Sequence, residues 1–301
     1  MRRVAVVLNM ASGGLLGHAN PEAGLATQLR GAGLEATIIP ASDTSDLNGR
    51  LDRAIAMAPD AVIVGGGDGT ICAAAQRLAG TPIALGVLPL GTMNMLAKDL
   101  RLPMELSAAM AALACGHLRT IDVAEVNGRV FLCNAVLGLP TAIGRHRERS
   151  RGEAGFLSRW RFLVGAFRTT VKQMPMRLNI ATDGSLPRTI HTRALVVANN
   201  AYSEGFGEVF TRRRLDEGKL VLYVAHHFGA WWSLKMILAM FLGAWRDRPE
   251  IDACSATEVV IRSRRPLRVM MDGEAFLLTP PLRFHVRPQA LQVIVPDDCD
   301  G

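Results

Sequence analysis

The stretch Val62-Ile63-Val64-Gly65-Gly66-Gly67-Asp68-Gly69-Thr70 sets the reading of the first part of this chain. An apolar, β-branched run predicts a buried strand. Glycines then turn the chain, and apolar spacing over Thr70–Ala79 predicts a helix. Glycine lets the backbone approach a ligand closely, and the free N–H groups at a helix start favour phosphate. Asp68 is an acid in a place built for anions. That makes sense when a cation such as Mg²⁺ bridges it to the phosphates. Tight strand-to-helix turns also use glycine for steric reasons, but a glycine run broken by an acid is harder to explain that way.

Outward from this loop, short apolar runs alternate with helical patterns. Strands are predicted at Val4–Asn9, Ala36–Pro40, Ala61–Gly65 and Ile83–Leu88, and helices at Pro21–Leu34, Asp46–Ala58 and Thr70–Ala79. This rhythm implies a parallel sheet covered by helices, with ligands at the carboxyl ends of the strands. A second loop, Leu88-Pro89-Leu90-Gly91-Thr92-Met93-Asn94-Met95-Leu96-Ala97, lies at such an end. Thr92 and Asn94 suit either phosphate binding or capping of the helix that follows. No GxxxxGK[ST] stretch is present, which excludes a P-loop. No acid follows the glycine loop at the spacing of a dinucleotide fingerprint.

The pattern changes after Thr120. Ile121–Val126 and Arg129–Leu137 flank Asn127-Gly128 and predict a hairpin. Further strands are expected at Arg177–Thr182, Thr189–Ala198, Leu220–Ala225, Thr257–Arg262, Leu267–Met271, Pro281–Arg287 and Leu291–Val295. The second half therefore reads as a mostly antiparallel β-domain with two helical insertions. One, Gly155–Lys172, follows the basic run Arg145–Arg151. The other, Ala230–Trp245, is apolar nearly all round. The first suits a solvated face or an anionic membrane, the second a packed helix or a lipid-facing surface.

The chain has 301 residues and a net charge of +7, so anionic partners are favoured. Basic charge without a recognition helix, zinc or RNP pattern does not predict nucleic-acid binding. Cys72, Cys115, Cys133, Cys254 and Cys299 form no CxxC pair, which fits a reducing cytoplasm rather than a disulfide framework. The apolar run after Arg2-Arg3 is too short for a signal peptide, and no window reaches a membrane span. Membrane contact is expected to be peripheral.

Gly66-Gly67-Asp68-Gly69-Thr70, Pro89-Leu90-Gly91-Thr92-x-Asn94 and Asp272-Gly273-Glu274, in that order, resemble the diacylglycerol kinase catalytic domain family. The resemblance covers essentially the whole chain. It implies an α/β domain with a parallel sheet over 1–122 and a mostly antiparallel β-sandwich over 123–289, with about 290–301 returning to the first domain. It implies an ATP site between them, dependent on Mg²⁺, and a lipid hydroxyl as acceptor. On this resemblance Asn9, Gly65, Gly66, Gly67, Asp68, Gly69, Thr70, Gly91, Thr92, Asn94 and Asp272 serve the nucleotide. Asp68 acts through Mg²⁺ and Glu274 is the general base. Arg214-Leu215-Asp216-Glu217-Gly218-Lys219 resembles the family's structural Mg²⁺ loop, with Arg214, Glu217 and Lys219 as its positions. The sequence departs from the family at Gly14, where a basic residue is usual, and at Met95, where an acid is usual. Glu217 replaces the usual Asp. The alternatives are a kinase of a soluble acceptor such as NAD and a non-catalytic lipid- or nucleotide-binding regulator. A homodimer through an edge strand is a further expectation.

Overall fold

The structure, a computed structural model, describes residues 3–13, 27, 29–31, 34–41, 46–138, 175–203, 211–225 and 251–297. The predicted helix at Pro21–Leu34 lies largely outside these residues. So do both predicted insertions and the basic run 145–151. The chain divides into two compact units, Met1–Val123 with Arg287–Gly301, and Ala124–Val286.

In the first unit β1 (Arg3–Leu8), β2 (Glu35–Ile39), β3 (Ala61–Gly66) and β4 (Ala84–Pro89) form a parallel sheet in the order β2-β1-β3-β4. Both β3 and β4 are buried at every residue. Strands covered on both faces carry unbroken apolar runs, which is why they are conspicuous in the sequence. The helices are α1 (Leu47–Ala56), α2 (Asp68–Leu78), α3 (Met95–Asp99) and α4 (Leu106–Cys115). Asp46 caps α1 by accepting the Gly49 N–H, and the Glu105 carboxylate caps α4 by accepting those of Ser107 and Ala108.

The strand β5 (His117–Val126) runs from the first unit into the second, where Asn127-Gly128 joins it to β6 (Arg129–Phe131). Both turn residues have positive φ, 49° and 82°, as a two-residue hairpin turn with the right twist requires. The rest of the second unit is β7 (Asn134–Gly138), β8 (Met176–Thr182), β9 (Arg188–Thr192), β10 (Ala194–Asn199), β11 (Leu220–Ala225), β12 (Ile251–Ala256), β13 (Glu258–Arg262), β14 (Leu267–Met271), β15 (Glu274–Leu278) and the start of β16 (Leu282–Val295). One antiparallel sheet runs β12-β11-β10-β7-β14-β15, and the other runs β16-β13-β8-β9. Their inner faces share one core. In it Phe131 meets Phe284 edge to face at 6.2 Å, among Leu137, Leu195, Leu222 and Ile261.

Two predicted strands are each broken. The run Arg129–Leu137 splits at Leu132-Cys133, because the Asp272 carboxylate takes the N–H groups of Leu132, Cys133 and Asn134. Those donors are thereby lost to a ladder, and the chain passes from one sheet to the other. The run Thr189–Ala198 splits at Arg193. There the buried Thr192 hydroxyl accepts the Ala194 N–H and donates to the Ala225 carbonyl. Conversely, the two strands predicted over Pro281–Arg287 and Leu291–Val295 are one continuous strand, β16. Its later part lies beside β4 in parallel, with Val293 opposite Leu85.

Candidate functional site

Three loops leave the carboxyl ends of β1, β3 and β4, and side chains tie them together. The Asn9 N–H donates to the Gly65 carbonyl at 2.8 Å, and Asn9 Nδ2 donates to Thr70 Oγ1 at 2.8 Å. The first loop is thus pinned to the glycine turn and to the first turn of α2. Gly67 and Gly91 pass so closely that a Cβ on Gly91 would lie 2.4 Å from the Gly67 Cα. Only glycine permits that approach.

Asp68 forms the second tie. Its Oδ1 accepts the Met95 N–H at 2.6 Å and its Oδ2 accepts the Asn94 N–H at 3.1 Å. The carboxylate at the start of α2 therefore caps α3. Asn94 stands at the cap position with φ 49°, but its side chain turns back. It accepts the Gly91 N–H and donates to the carbonyls of Pro89 and Gly91. Asn94 therefore does not cap the helix: its side chain closes its own loop, and Asp68 does the capping. Thr92 is exposed.

Burial raises the Asp68 pKa above the usual carboxylate value, against the lowering effect of its two amide partners and of Lys98. Gly67, at the N-cap of α2, supplies no side-chain cap. Among the first-turn N–H groups of α2, that of Asp68 meets its own carboxylate, and a glycine-led helix start of this kind suits an anion.

Asp272 and Glu274 belong to the second unit. Asp272-Gly273 is the two-residue turn between β14 and β15, with φ 45° and 90°. Asp272 is buried, and its Oδ1 accepts the amides of Cys133 and Asn134 and its Oδ2 that of Leu132. Burial raises its pKa, against those hydrogen bonds and the nearby Arg212 charge. Glu274 follows at once and is exposed. The turn is thus fixed by one acid and offers the next to solvent.

Arg212 was not singled out by the sequence reading. It is 3% exposed and donates from Nη1 to the carbonyls of Leu132 and Asn199, both at 2.7 Å. Asn199 Nδ2 also donates to Leu132 O. Asp272 and Arg212 therefore grip opposite polar groups of one short segment. In the sequence Arg212 is one of three consecutive arginines, and nothing marks it as the buried one.

The 214–219 loop is closed by its own ion pairs. Glu217 Oε2 lies 3.3 Å from Lys219 Nζ and 3.4 Å from the Ala201 amide, and Arg214 lies 3.6 Å from Asp216. The Lys219 ammonium thus occupies one oxygen of the Glu217 carboxylate, which a divalent ion there would share with it. No group of three His, Cys, Asp or Glu side chains among the described residues is placed to hold a metal. The Asp68 carboxylate accepts three N–H groups, those of Asn94, Met95 and its own residue, and keeps one lone-pair site for a cation.

Comparison with known proteins matches residues 3–126 to the diacylglycerol kinase catalytic domain and residues 136–295 to the YegS C-terminal NAD kinase β-sandwich-like domain. A Mycobacterium tuberculosis protein named diacylglycerol kinase is 28% identical over 280 residues, covering 91% of this chain and 89% of that one. A Staphylococcus epidermidis diacylglycerol kinase is 23% identical over 99% of this chain and 93% of its own. The crystal structure of a Bacillus anthracis diacylglycerol kinase shares the fold, with a TM-score of 0.69 at 20% identity over 98% of this chain and 97% of that one. The tied glycine loops and the two matched domains together make this chain a member of the diacylglycerol kinase catalytic domain family.

Proposed function

We propose that the protein transfers the γ-phosphate of ATP to a hydroxyl of a lipid such as diacylglycerol or a sphingoid base. The observation that carries the reading is the cross-tied set of loops in the first unit, with the uncapped start of α2 beside Gly66 and Gly67. Such a set suits a polyphosphate, because backbone N–H groups hold its charge without side-chain rearrangement. Asn9 and Asn94 keep the loops in place, and Thr92 is free to meet the nucleotide. A magnesium ion bound at Asp68 would neutralise charge on the transferring phosphate.

Glu274 is the proposed base. Its carboxylate takes the proton of the lipid hydroxyl, a bond forms from that oxygen to the γ-phosphorus, the bridging bond breaks and ADP leaves. Asp272 positions Glu274 by fixing the turn. The relatives' names support a lipid acceptor.

Transfer from labelled ATP, with Mg²⁺, to mixed-lipid vesicles tests this reading. Wild type should label lipid, and Glu274→Gln should do so about 10²–10⁴-fold more slowly with an unchanged melting temperature. Label on NAD and none on lipid would move the chain to the soluble-acceptor alternative. Binding of ATP without any transfer would make it a regulator.

A further inference from the structure

The outer face of the β16-β13-β8-β9 sheet is divided by charge along its strands. At one end Glu258 opens β13, and Asp183 follows β8 with its Oδ1 engaged by the N–H groups of Thr257 and Glu258. Arg262 closes β13 four residues later, roughly 13 Å away. The turn Ser263-Arg264-Arg265-Pro266 continues from it. Asn179 of β8 stands opposite Arg262, and Arg177 lies two residues before Asn179. Arg177, Arg262, Arg264 and Arg265 line a depression of about 660 Å³ together with Met176 and Asn179. No acid lines it, all four arginines are exposed, and none pairs with a carboxylate among the described residues.

Charge without a counter-charge on one concave face is unfavourable in the isolated protein, and an anion relieves it. None of the arginines is buried, so the face lacks the enclosed donors that hold a single small anion. Four guanidinium groups on two strands and a turn instead match an extended array of phosphates. Arginine binds phosphate through a planar fork, and adjacent apolar groups such as Pro175, Met176 and Pro266 suit an interface of mixed polarity. We infer that this arginine face of the second unit is a docking surface for a bilayer of anionic phospholipids. It rests on the lipid-kinase reading only in that the acceptor would lie in such a bilayer.

Co-sedimentation of the full chain with vesicles tests the inference without turnover. The vesicles are phosphatidylcholine alone or with about a third phosphatidylglycerol. Wild type should bind the anionic vesicles and leave the neutral ones. Arg264→Gln with Arg265→Gln should weaken binding by roughly 25-fold, about fivefold per charge. Arg30→Gln with Arg101→Gln, an equal charge loss in the first unit, should change it less than about twofold. Equal losses from both pairs would overturn the surface in favour of net charge. Equal wild-type binding to neutral vesicles would overturn it, as would release by millimolar glycerol phosphate or tighter binding to duplex DNA. Transfer to lipid in neutral detergent micelles should be the same in wild type and both pairs. Loss of that transfer in wild type would sink the kinase reading and leave the docking result standing.

Discussion

Asp68-Gly69, Asp183-Gly184 and Asp272-Gly273 are the same dipeptide in different surroundings. Each aspartate accepts backbone N–H groups from a distant segment: Asp68 from 94 and 95, Asp183 from 257 and 258, Asp272 from 132 to 134. Yet the carboxyl pKa is raised at Asp68 and Asp272 and lowered at Asp183. The hydrogen bonds act in one direction throughout. Burial opposes them, and it prevails where the side chain is taken from water. The dipeptide therefore reports a staple, and its depth sets the direction in which the carboxyl pKa moves.

Truncation should separate the three. Asp272→Ala leaves three buried N–H groups without an acceptor and Arg212 without its nearby anion. It should destabilise the second unit by about 3–5 kcal/mol, read as a lower urea midpoint. A loss under about 1 kcal/mol would show that water replaces the carboxylate. Gly91→Ala places a methyl group against the Gly67 backbone and should cost about 1–3 kcal/mol, and it should also raise the KM for ATP. An unchanged KM would detach this approach from the nucleotide. Asp68→Ala removes a cap from α3 and should cost only about 1–2 kcal/mol, while phosphoryl transfer falls below detection. A fully active variant would reduce Asp68 to a structural staple like Asp272.

Asp183 should matter least, under about 1 kcal/mol for the alanine variant, since its charge is screened by solvent. The sign of its pH dependence is nonetheless definite. A lowered folded pKa gives stability that is present above the ordinary carboxylate value and is lost as pH falls through the folded value. Asp272, with a raised pKa, acts oppositely, and its contribution declines as pH rises from the ordinary value through the folded one. Carbon-13 titration of the side-chain carboxyls should find Asp183 below the usual range and Asp272 above it. The reverse order would break the comparison.

The first unit was the more legible in sequence. Its strands, buried on both faces, carry dense apolar runs, and β1 to β4 lie within a residue of their predicted bounds. The second unit was read as antiparallel, but its sheet changes were not. They occur at Leu132-Cys133 and at Arg193, where a buried acid and a buried hydroxyl hold the backbone and hydropathy does not alter. The edge strand β12 is mostly exposed and has no apolar alternation to give it away. In the candidate site the glycine loops were legible because glycine marks close backbone approach. The link from Asp68 to Met95 was not, because a carboxylate reaching an amide 27 residues later leaves no local pattern.

The strand β16 has a consequence for how the chain is made. Its later residues belong to the first unit, where Gly80 donates to the Ala290 carbonyl, Gln289 donates to Asp122 and Val293 lies beside Leu85. The ribosome emits Met1–Val123 well before it emits these partners, with all of Ala124–Val286 in between. The nascent first unit therefore waits with one edge of β4 unpaired, and the second unit waits for the start of the same strand. Vectorial synthesis thus makes the arrival of one strand, β16, the late event that completes both units.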